Sequence, residues 1–328
     1  MPAVRVAQRA HVDLDRINYV NVGLMLVATA LACTLPFEVF LFSYAILGPL
    51  HYLTQISWLY DRGFYTTDRF DWVPLAVLSG AAFFAYIGWL TWEGAAFTAF
   101  GAGTLAAFVP SRVAKVVGIA VLAGLAARVV SWGPAEVLFV AMLATIVHVY
   151  VFTGLFMLAG SMRSRSLSGY LSLAVYVACG IGLLFVQPAA ASYDPSGYVR
   201  ESLSPFVDVI GVMSWLIPGD GEWNATVAIG RFLAFAYTYH YLNWFSKTGI
   251  IRWHEITRAR MTAIGLVYVA AVAVYAYDYH LGLATLYCLS IAHVFLEFPL
   301  DARTLVEVVG GLGRARPAVA GAAARSPA

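Results

Sequence analysis

The sequence predicts an all-α integral membrane protein, a polytopic bundle of about ten transmembrane helices. Of its 328 residues, 61% are hydrophobic and 12% are charged, whereas soluble domains usually carry about 25% charged residues. The apolar residues also occur in runs near the ~20 residues that a helix needs to cross a bilayer. Finally, the basic residues lie almost entirely in the connections that these runs place on one side of the membrane.

Short polar or proline-containing connections separate the ten predicted spans. The fourth and fifth spans are the weakest, because both are short and only Pro110-Ser111-Arg112 lies between them. Losing or merging them would reduce the count to nine or eight. The predicted spans are 17–35, 37–60, 72–92, 94–110, 114–131, 134–160, 167–187, 224–247, 260–278 and 281–300.

The distribution of Lys and Arg predicts the orientation. With the N-terminus inside, all of the 20 Lys and Arg residues except Arg128, Arg200 and Arg231 lie on the inner side. Cytoplasmic loops of membrane proteins carry such an excess. We therefore expect a multi-pass protein of the inner (plasma) membrane with both termini in the cytoplasm. No small-residue cleavage site precedes the first span, so no signal peptide is predicted.

Two further segments lie outside the spans. Residues 188–223 form a predicted outer loop, in which 198–217 mixes polar and large apolar residues like a helix lying in the membrane interface. Residues 310–328, rich in Ala, Gly, Pro and Arg, predict a disordered cytoplasmic tail, which leaves 1–309 as the transmembrane domain.

The net charge of the chain is only +2, so the charge gives no indication that the protein binds nucleic acid. The three cysteines lie far apart, which disfavours a thiolate zinc site or a disulfide framework.

Four of the seven histidines lie inside predicted spans, namely His51, His148, His240 and His293. Their spans (2, 6, 8 and 10) all run from outside to inside, and the histidines lie about 18–24 Å below the outer ends. A single intramembrane histidine is explained equally well by a hydrogen bond across a helix interface. Four at one depth favour a shared metal or proton site, because buried ionisable groups in membranes are usually functional.

Polar residues accompany these histidines. Glu297 follows His293 by four residues and so shares its helix face, which makes it a candidate acid–base group or a further ligand. Gln55 and Asn243 stand one turn beyond His51 and His240 and are candidates for orienting the ligands. His254, in the loop between spans 8 and 9, is likewise a candidate for orienting the ligands.

A histidine-rich site without thiolates suits iron, copper or zinc. Non-haem iron needs open positions for oxygen and substrate, and three or four histidines leave them. Two haems would need ligands at two depths, whereas one haem between two of the four histidines stays an alternative. The HxxxH and HxxHH motifs of membrane di-iron enzymes are absent from the sequence.

Four short segments are similar, in the same order, to the histidine segments of the bacterial Brp/Blh-like β-carotene dioxygenases. They are Gly48-Pro49-Leu50-His51, Thr145-Ile146-Val147-His148, Tyr237-Thr238-Tyr239-His240 and Ala292-His293-Val294-Phe295-Leu296-Glu297. The family has a Gly directly after the first histidine and an acid nearby, where this chain has Tyr52 and Gln55. It also has a second histidine in the third segment, where this chain has Trp244, and its spacings are shorter. The resemblance implies a helical membrane enzyme with histidine-ligated non-haem iron.

The sequence thus favours a membrane-embedded, iron-dependent oxidoreductase of lipid metabolism, either an oxygenase such as a dioxygenase or a desaturase. Its expected cofactor is Fe²⁺. Its expected partners are dioxygen, a lipidic substrate (isoprenoid, carotenoid or acyl chain) entering from the membrane lipid, and an electron-donor protein. The alternative is a proton-coupled or metal-ion transporter that uses the same histidines. Transporters often contain broken helices, and Gly48-Pro49 resembles such a break.

Overall fold

The structure, a computed structural model, describes residues 2–89, 94–129, 142–185, 193–206, 210–211 and 222–314. Within these ranges the chain forms ten long helices and no strand. Four short helical segments, Gly63–Tyr65, Gly197–Ser202, Ser204–Phe206 and Thr248–Ile251, lie between them. The long helices are α1 Pro2–Thr34, α2 Pro36–Tyr60, α3 Trp72–Tyr86, α4 Ala95–Phe108, α5 Arg112–Val129, α6 Met142–Phe152 with Thr153–Ser164, α7 Leu167–Phe185, α8 Glu222–Ser246, α9 Arg258–Tyr277 and α10 Tyr279–Arg314.

The predicted fold class is confirmed at the level of an all-α protein with several membrane-crossing helices. Within the described residues, each predicted span overlaps one of the ten helices, and six helices are long and apolar enough to cross a membrane: α1, α2, α6, α7, α9 and α10. Residues 90–92, 130–131, 134–141 and 186–187 of the predicted spans lie outside the described residues. Helices α3 and α4 are apolar but shorter. Large apolar side chains such as Val77, Val113 and Leu266 are exposed, as expected of a surface that faces lipid. The count of ten crossings stays a prediction.

The C-terminal boundary differs from the sequence prediction. Helix α10 continues to Arg314, so residues 310–314, predicted as part of a disordered tail, are helical. The helix continues because its buried face does: Ala302, Thr304 and Val308 pack inside the bundle beyond the apolar run. Residues 315–328 lie outside the described ranges. Of the predicted interfacial segment 198–217, residues 198–202 belong to the helix Gly197–Ser202, whose Ser202 carbonyl accepts a hydrogen bond from Tyr279. Residues 207–209 and 212–217 of this segment lie outside the described ranges.

Helices α8 and α10 form the centre of the bundle. Helix α8 packs against α1, α2, α6 and α7, whereas α10 packs against α2, α3, α4, α6 and α9. Each central helix has its own apolar core, the first built around Phe235 and Tyr239 and the second around Phe295 and Phe298. Gly103 of α4 lets α10 approach closely, because a Cβ there would lie 2.4 Å from Phe298 Cβ. The four histidines lie where the two cores meet.

Two of the histidine-bearing helices depart from regular α-helix near their histidines. Residues Ser43–Leu47 of α2 form a π-helical segment that ends four residues before His51. The π-helical segment Met142–Phe152 of α6 contains His148 itself. Within the first segment, Ser43 hydrogen-bonds Thr238 of α8 at 2.6 Å. π-Helical turns are rare and occur often at functional sites, so these two irregularities mark the same place as the histidines.

Polar interactions join the connections at one end of the bundle, where α2, α4, α6 and α8 end. Arg112 binds Asp68 and Lys115 binds Asp71, each at 2.6 Å, between the 61–71 connection and the start of α5. Arg260 similarly binds Asp61. This end is the one predicted to be cytoplasmic, and we call it the inner end.

Candidate metal centre

The structure brings the four intramembrane histidines together. His51 of α2, His148 of α6, His240 of α8 and His293 of α10 are all buried. Their rings form a closed circuit with centroid separations of 4.7 Å for His51–His240, 5.4 Å for His240–His148, 5.1 Å for His148–His293 and 5.3 Å for His293–His51. The predicted layer of four histidines is therefore a single cluster.

The Nε2 atoms point toward one another. Nε2 of His240 lies 3.1 Å from Nε2 of His51, and Nε2 of His148 lies 3.3 Å from Nε2 of His293. Two nitrogens bound to one metal at about 2.0–2.1 Å in tetrahedral geometry lie ~3.4 Å apart. The ligand atoms of His51, His240 and His293 all lie within 4.8 Å of one another, and so do those of His148, His293 and Glu297. Both groups can hold a metal ion, and they share His293.

A hydroxyl sets the tautomer of His240. Thr153 Oγ1 donates its proton to the Val149 carbonyl at 2.7 Å, and the same oxygen lies 2.7 Å from His240 Nδ1. Since the hydroxyl has one proton, His240 Nδ1–H must be the donor in the second bond. His240 Nε2 therefore carries a lone pair toward the cluster, which is the form that binds a metal.

Two carboxylates of α10 lie beside His148. Glu297 Oε2 is 3.6 Å from His148 Nε2, and Asp301 Oδ2 is 3.8 Å from His148 Nδ1. Asp301 is 0% exposed and Glu297 is 3% exposed. Within the described residues, Oε2 of Glu297 and both carboxylate oxygens of Asp301 have no hydrogen-bond partner. A buried charge without a partner is costly, so these carboxylates suit a site that receives a cation.

Aromatic side chains enclose the cluster. The Tyr52 ring stacks on His293 with centroids 4.3 Å apart, and its hydroxyl hydrogen-bonds that of Tyr241 at 2.6 Å. Trp244 meets the edge of His51 and donates through Nε1 to Thr54 Oγ1 at 3.0 Å. The polar atoms of Tyr52, Tyr241 and Trp244 thus have hydrogen-bond partners other than the histidines, and their rings pack against the cluster.

A cavity of about 510 Å³ extends from the cluster to the inner end of the bundle. His51, His240 and Glu297 line it, whereas His148 and His293 do not. We call His51 and His240 the cavity side of the cluster and His148 and His293 the enclosed side. The cavity lies between α1, α2, α6, α7, α8 and α10, and a small ligand can reach the cluster through it from one side.

The other predicted site residues lie at different distances from the cluster. Gln55 is buried and its side chain is a hydrogen-bonding neighbour of Glu297. Asn243 lies farther along the cavity wall, where its Oδ1 is 3.4 Å from the hydroxyl oxygen of Tyr239. His254 is exposed beyond the turn that ends α8 and contacts the ring of Trp253. The structure thus places His254 away from the cluster, because the chain has already left the bundle at that point.

Sequence reasoning missed Thr153 and Asp301. Asp301 follows Glu297 by four residues, as Glu297 follows His293, so these three side chains lie on one face of α10. This spacing indicates from the sequence alone that Asp301 belongs beside His293 and Glu297, although Asp301 falls just beyond the predicted end of the last span. Thr153 gave no signal, because a threonine in a membrane helix ordinarily bonds its own backbone.

The fold and the cluster together define a helical membrane protein with a buried histidine–carboxylate centre. Comparisons with protein-family models, with curated proteins and with solved structures found no match to this chain.

Proposed function

We propose that this protein is a membrane-embedded oxidoreductase that holds a non-haem iron at His51, His148, His240 and His293 and acts on a lipidic substrate. The observation that carries the proposal is the convergence of four histidine Nε2 atoms, with pairs at 3.1 and 3.3 Å, inside an apolar bundle. The proposal includes the ten-span topology, the inner-membrane location and the cytoplasmic termini.

The donor set fits Fe²⁺. Imidazole nitrogens and carboxylate oxygens without thiolates suit iron among the metals that such a site can bind. Charge balance supports a divalent cation, because the two buried carboxylates Glu297 and Asp301 would offset its two charges. The cysteines supply no competing ligand, since none of them belongs to either metal-capable group of the described residues.

Each residue has a role that follows from its position. The four histidines would hold the iron, and Thr153 would keep His240 in its binding tautomer. When bound, the iron would supply the activation of dioxygen and the oxidation of a substrate C–H or C=C bond. Glu297 borders the cavity beside His148 and would accept or return a proton at Oε2. Tyr52 and Trp244 would exclude bulk water from the cluster, and an electron-donor protein would serve the desaturase form of the reaction.

Metal analysis combined with an optical spectrum of the purified protein tests this proposal. We expect close to one iron per chain, no Soret absorbance, and consumption of dioxygen when lipids are added. A haem spectrum would overturn the non-haem assignment and favour a haem held between two of the four histidines. Protein that binds no metal after anaerobic loading with Fe²⁺ would overturn it.

A second candidate function is proton-coupled or metal-ion transport through the same histidines. It is favoured by the cavity, which reaches His51 and His240 from the inner end, and by the π-helical segments in α2 and α6. Transporters place their sites near mid-membrane beside irregular helices. Liposomes containing the protein distinguish the two candidates: movement of Fe²⁺, Zn²⁺ or protons across the bilayer without oxygen consumption would favour transport.

A further inference from the structure

The cavity has the size and lining of a binding site for a small organic molecule. Sites for such ligands usually have volumes of about 300–1,000 Å³ and largely apolar walls with a few placed polar groups. Here apolar side chains that include Phe156, Met157, Trp244 and Leu300 line the cavity together with neutral polar residues such as Ser161 and Asn243. A molecule with an apolar chain is therefore an expected occupant.

The two ends of the cavity carry opposite charge. Glu297 lies at the end beside the histidines, whereas Lys247 and Arg163 lie at the inner end. Arg163 is already neutralised by Glu307, whose two oxygens it binds at 2.5 and 2.6 Å. Lys247, directly after α8, is half-buried, and no described residue forms an ion pair with it.

Lys247 lies in an unfavourable place for an unpaired cation. A half-buried cation without a charged partner among the described residues carries a desolvation cost. The neutral polar groups nearby are engaged with each other: Tyr239 donates to Asn21 Oδ1 at 3.0 Å, and the Ser246 hydroxyl lies 3.1 Å from the same oxygen and 2.9 Å from the Asn243 carbonyl. An anion bound at Lys247 would relieve this cost.

We infer that the ligand of this cavity is an amphiphile, whose anionic end group binds Lys247 and whose apolar chain reaches the histidines. The inference rests on the proposed function and narrows its lipidic substrate to a chain with a carboxylate or phosphate end group. The orientation follows from the charges, because the opposite arrangement would place the anion beside Glu297.

The position of Lys247 sets which part of the chain meets the cluster. Lys247 follows His240 by seven residues, which corresponds to about 10 Å along the axis of a helix. An end group held at Lys247 therefore places an interior part of the chain, not the end group, next to His51 and His240. The inference excludes a wholly apolar hydrocarbon as the preferred ligand.

Ligand binding to the purified, metal-loaded protein tests the inference. Oleate, oleyl phosphate and oleyl alcohol share one chain and differ in the end group, and the fluorescence of the cavity residues Trp58 and Trp244 reports their binding. We expect the better of the two anions to bind at least about tenfold more tightly than the alcohol, which corresponds to ~1.4 kcal/mol. Comparing oleate with oleyl phosphate identifies the end group that the site prefers.

Variants assign the preference to one side chain. Lys247→Gln should bind the anion and the alcohol equally, and Lys247→Arg should retain most of the preference. Arg69→Gln is the matched control, because Arg69 is exposed at the inner end and does not line the cavity. Equal binding of all three ligands by the native protein, or equal losses in Lys247→Gln and Arg69→Gln, would overturn the inference.

Metal content measured on the same samples separates the two proposals. Stoichiometric iron without an anion preference would overturn only the inference about the substrate. An anion preference in protein that cannot be loaded with iron would overturn the proposed oxidoreductase and leave the cavity as an amphiphile-binding site.

Discussion

The two sides of the histidine cluster differ in what holds their rings. On the cavity side, a neutral hydroxyl of Thr153 fixes His240, and His51 lies among Tyr241 and Trp244. On the enclosed side, His148 lies between two carboxylates of α10. The cavity side thus offers access and a neutral hydrogen-bond partner, whereas the enclosed side lies next to two carboxylates, of which Glu297 also borders the cavity.

This difference suggests that functions are divided between the two sides of one centre. The enclosed side offsets the charge of a bound cation, because Glu297 and Asp301 are buried and only partly hydrogen-bonded. The cavity side leaves room for the molecules that react. If the division is correct, changes on the enclosed side should weaken metal binding most, and changes along the cavity should mainly affect the ligand.

The largest effect is expected for His293→Ala, because His293 belongs to both metal-capable groups. Its loss should weaken iron binding by more than ~100-fold, which exceeds the 10–100-fold loss typical of residues that only orient a metal ligand. Anaerobic Fe²⁺ titration with a competing chelator measures the change. The control is His280→Ala, which removes an exposed histidine of the same helix. Equal affinity in both variants would refute a centre built on His293.

Asp301→Asn should weaken iron binding by about 10–100-fold, the range for a carboxylate that orients a ligand histidine. Its thermal stability without metal should stay unchanged or rise, because the lost charge is buried and has no hydrogen-bond partner among the described residues. Metal titration and melting curves with and without iron measure both. Asp278→Asn, at an exposed position, is the control. A less stable metal-free protein with normal iron affinity would give Asp301 a purely structural role.

Thr153→Val removes the acceptor of the His240 Nδ1 proton and should lower iron affinity by about tenfold, the lower end of that range. Thr153→Ser keeps the hydroxyl and should restore the affinity. Comparing the two variants by the same titration separates the hydrogen bond from side-chain packing. If serine and valine weaken binding equally, the hydroxyl does not set the tautomer.

The smallest effect is expected from pH. Binding of the anionic amphiphile should weaken several-fold once the pH is high enough to remove the proton of Lys247, because the neutral amine no longer attracts the anion. A bound anion favours the charged form, so the midpoint in the complex should lie higher than in the free protein. The other cavity charges are Arg163, paired with Glu307, and Glu297 at the opposite end. Oleyl alcohol and the Lys247→Gln variant should show no such dependence in the same fluorescence titration.

The sequence predicted those parts of the molecule that follow from length and periodicity. Apolar runs located the helices, and counting residues along them placed the four histidines at one depth. Helix α10 ended later than predicted, because its buried face continues through Thr304 and Val308 after the apolar run stops. Hydropathy along the sequence indicates which segments contact lipid, but it does not indicate which residues are buried against other helices.

The rest of the site depends on contacts between helices that no local pattern encodes. His254 is close to a predicted span in sequence, yet it lies outside the bundle. Thr153, on α6, fixes a histidine of α8, and this pairing depends on how the two helices are rotated. The Brp/Blh-like resemblance and the iron assignment stay predictions, which the metal analysis addresses.

The π-helical segment Ser43–Leu47 makes chain length, rather than side-chain identity, the sensitive property of α2. A π-helical turn holds one residue more than an α-helical turn. Deleting one residue from the π-helical turn would make the helix regular, whereas deleting one residue from the regular turn between this segment and His51 would rotate everything before it by about 100° relative to His51. The second deletion would keep every side chain of the centre and still separate Ser43 from its partner Thr238 on α8. The geometry of the centre therefore depends on a residue count as well as on its ligands.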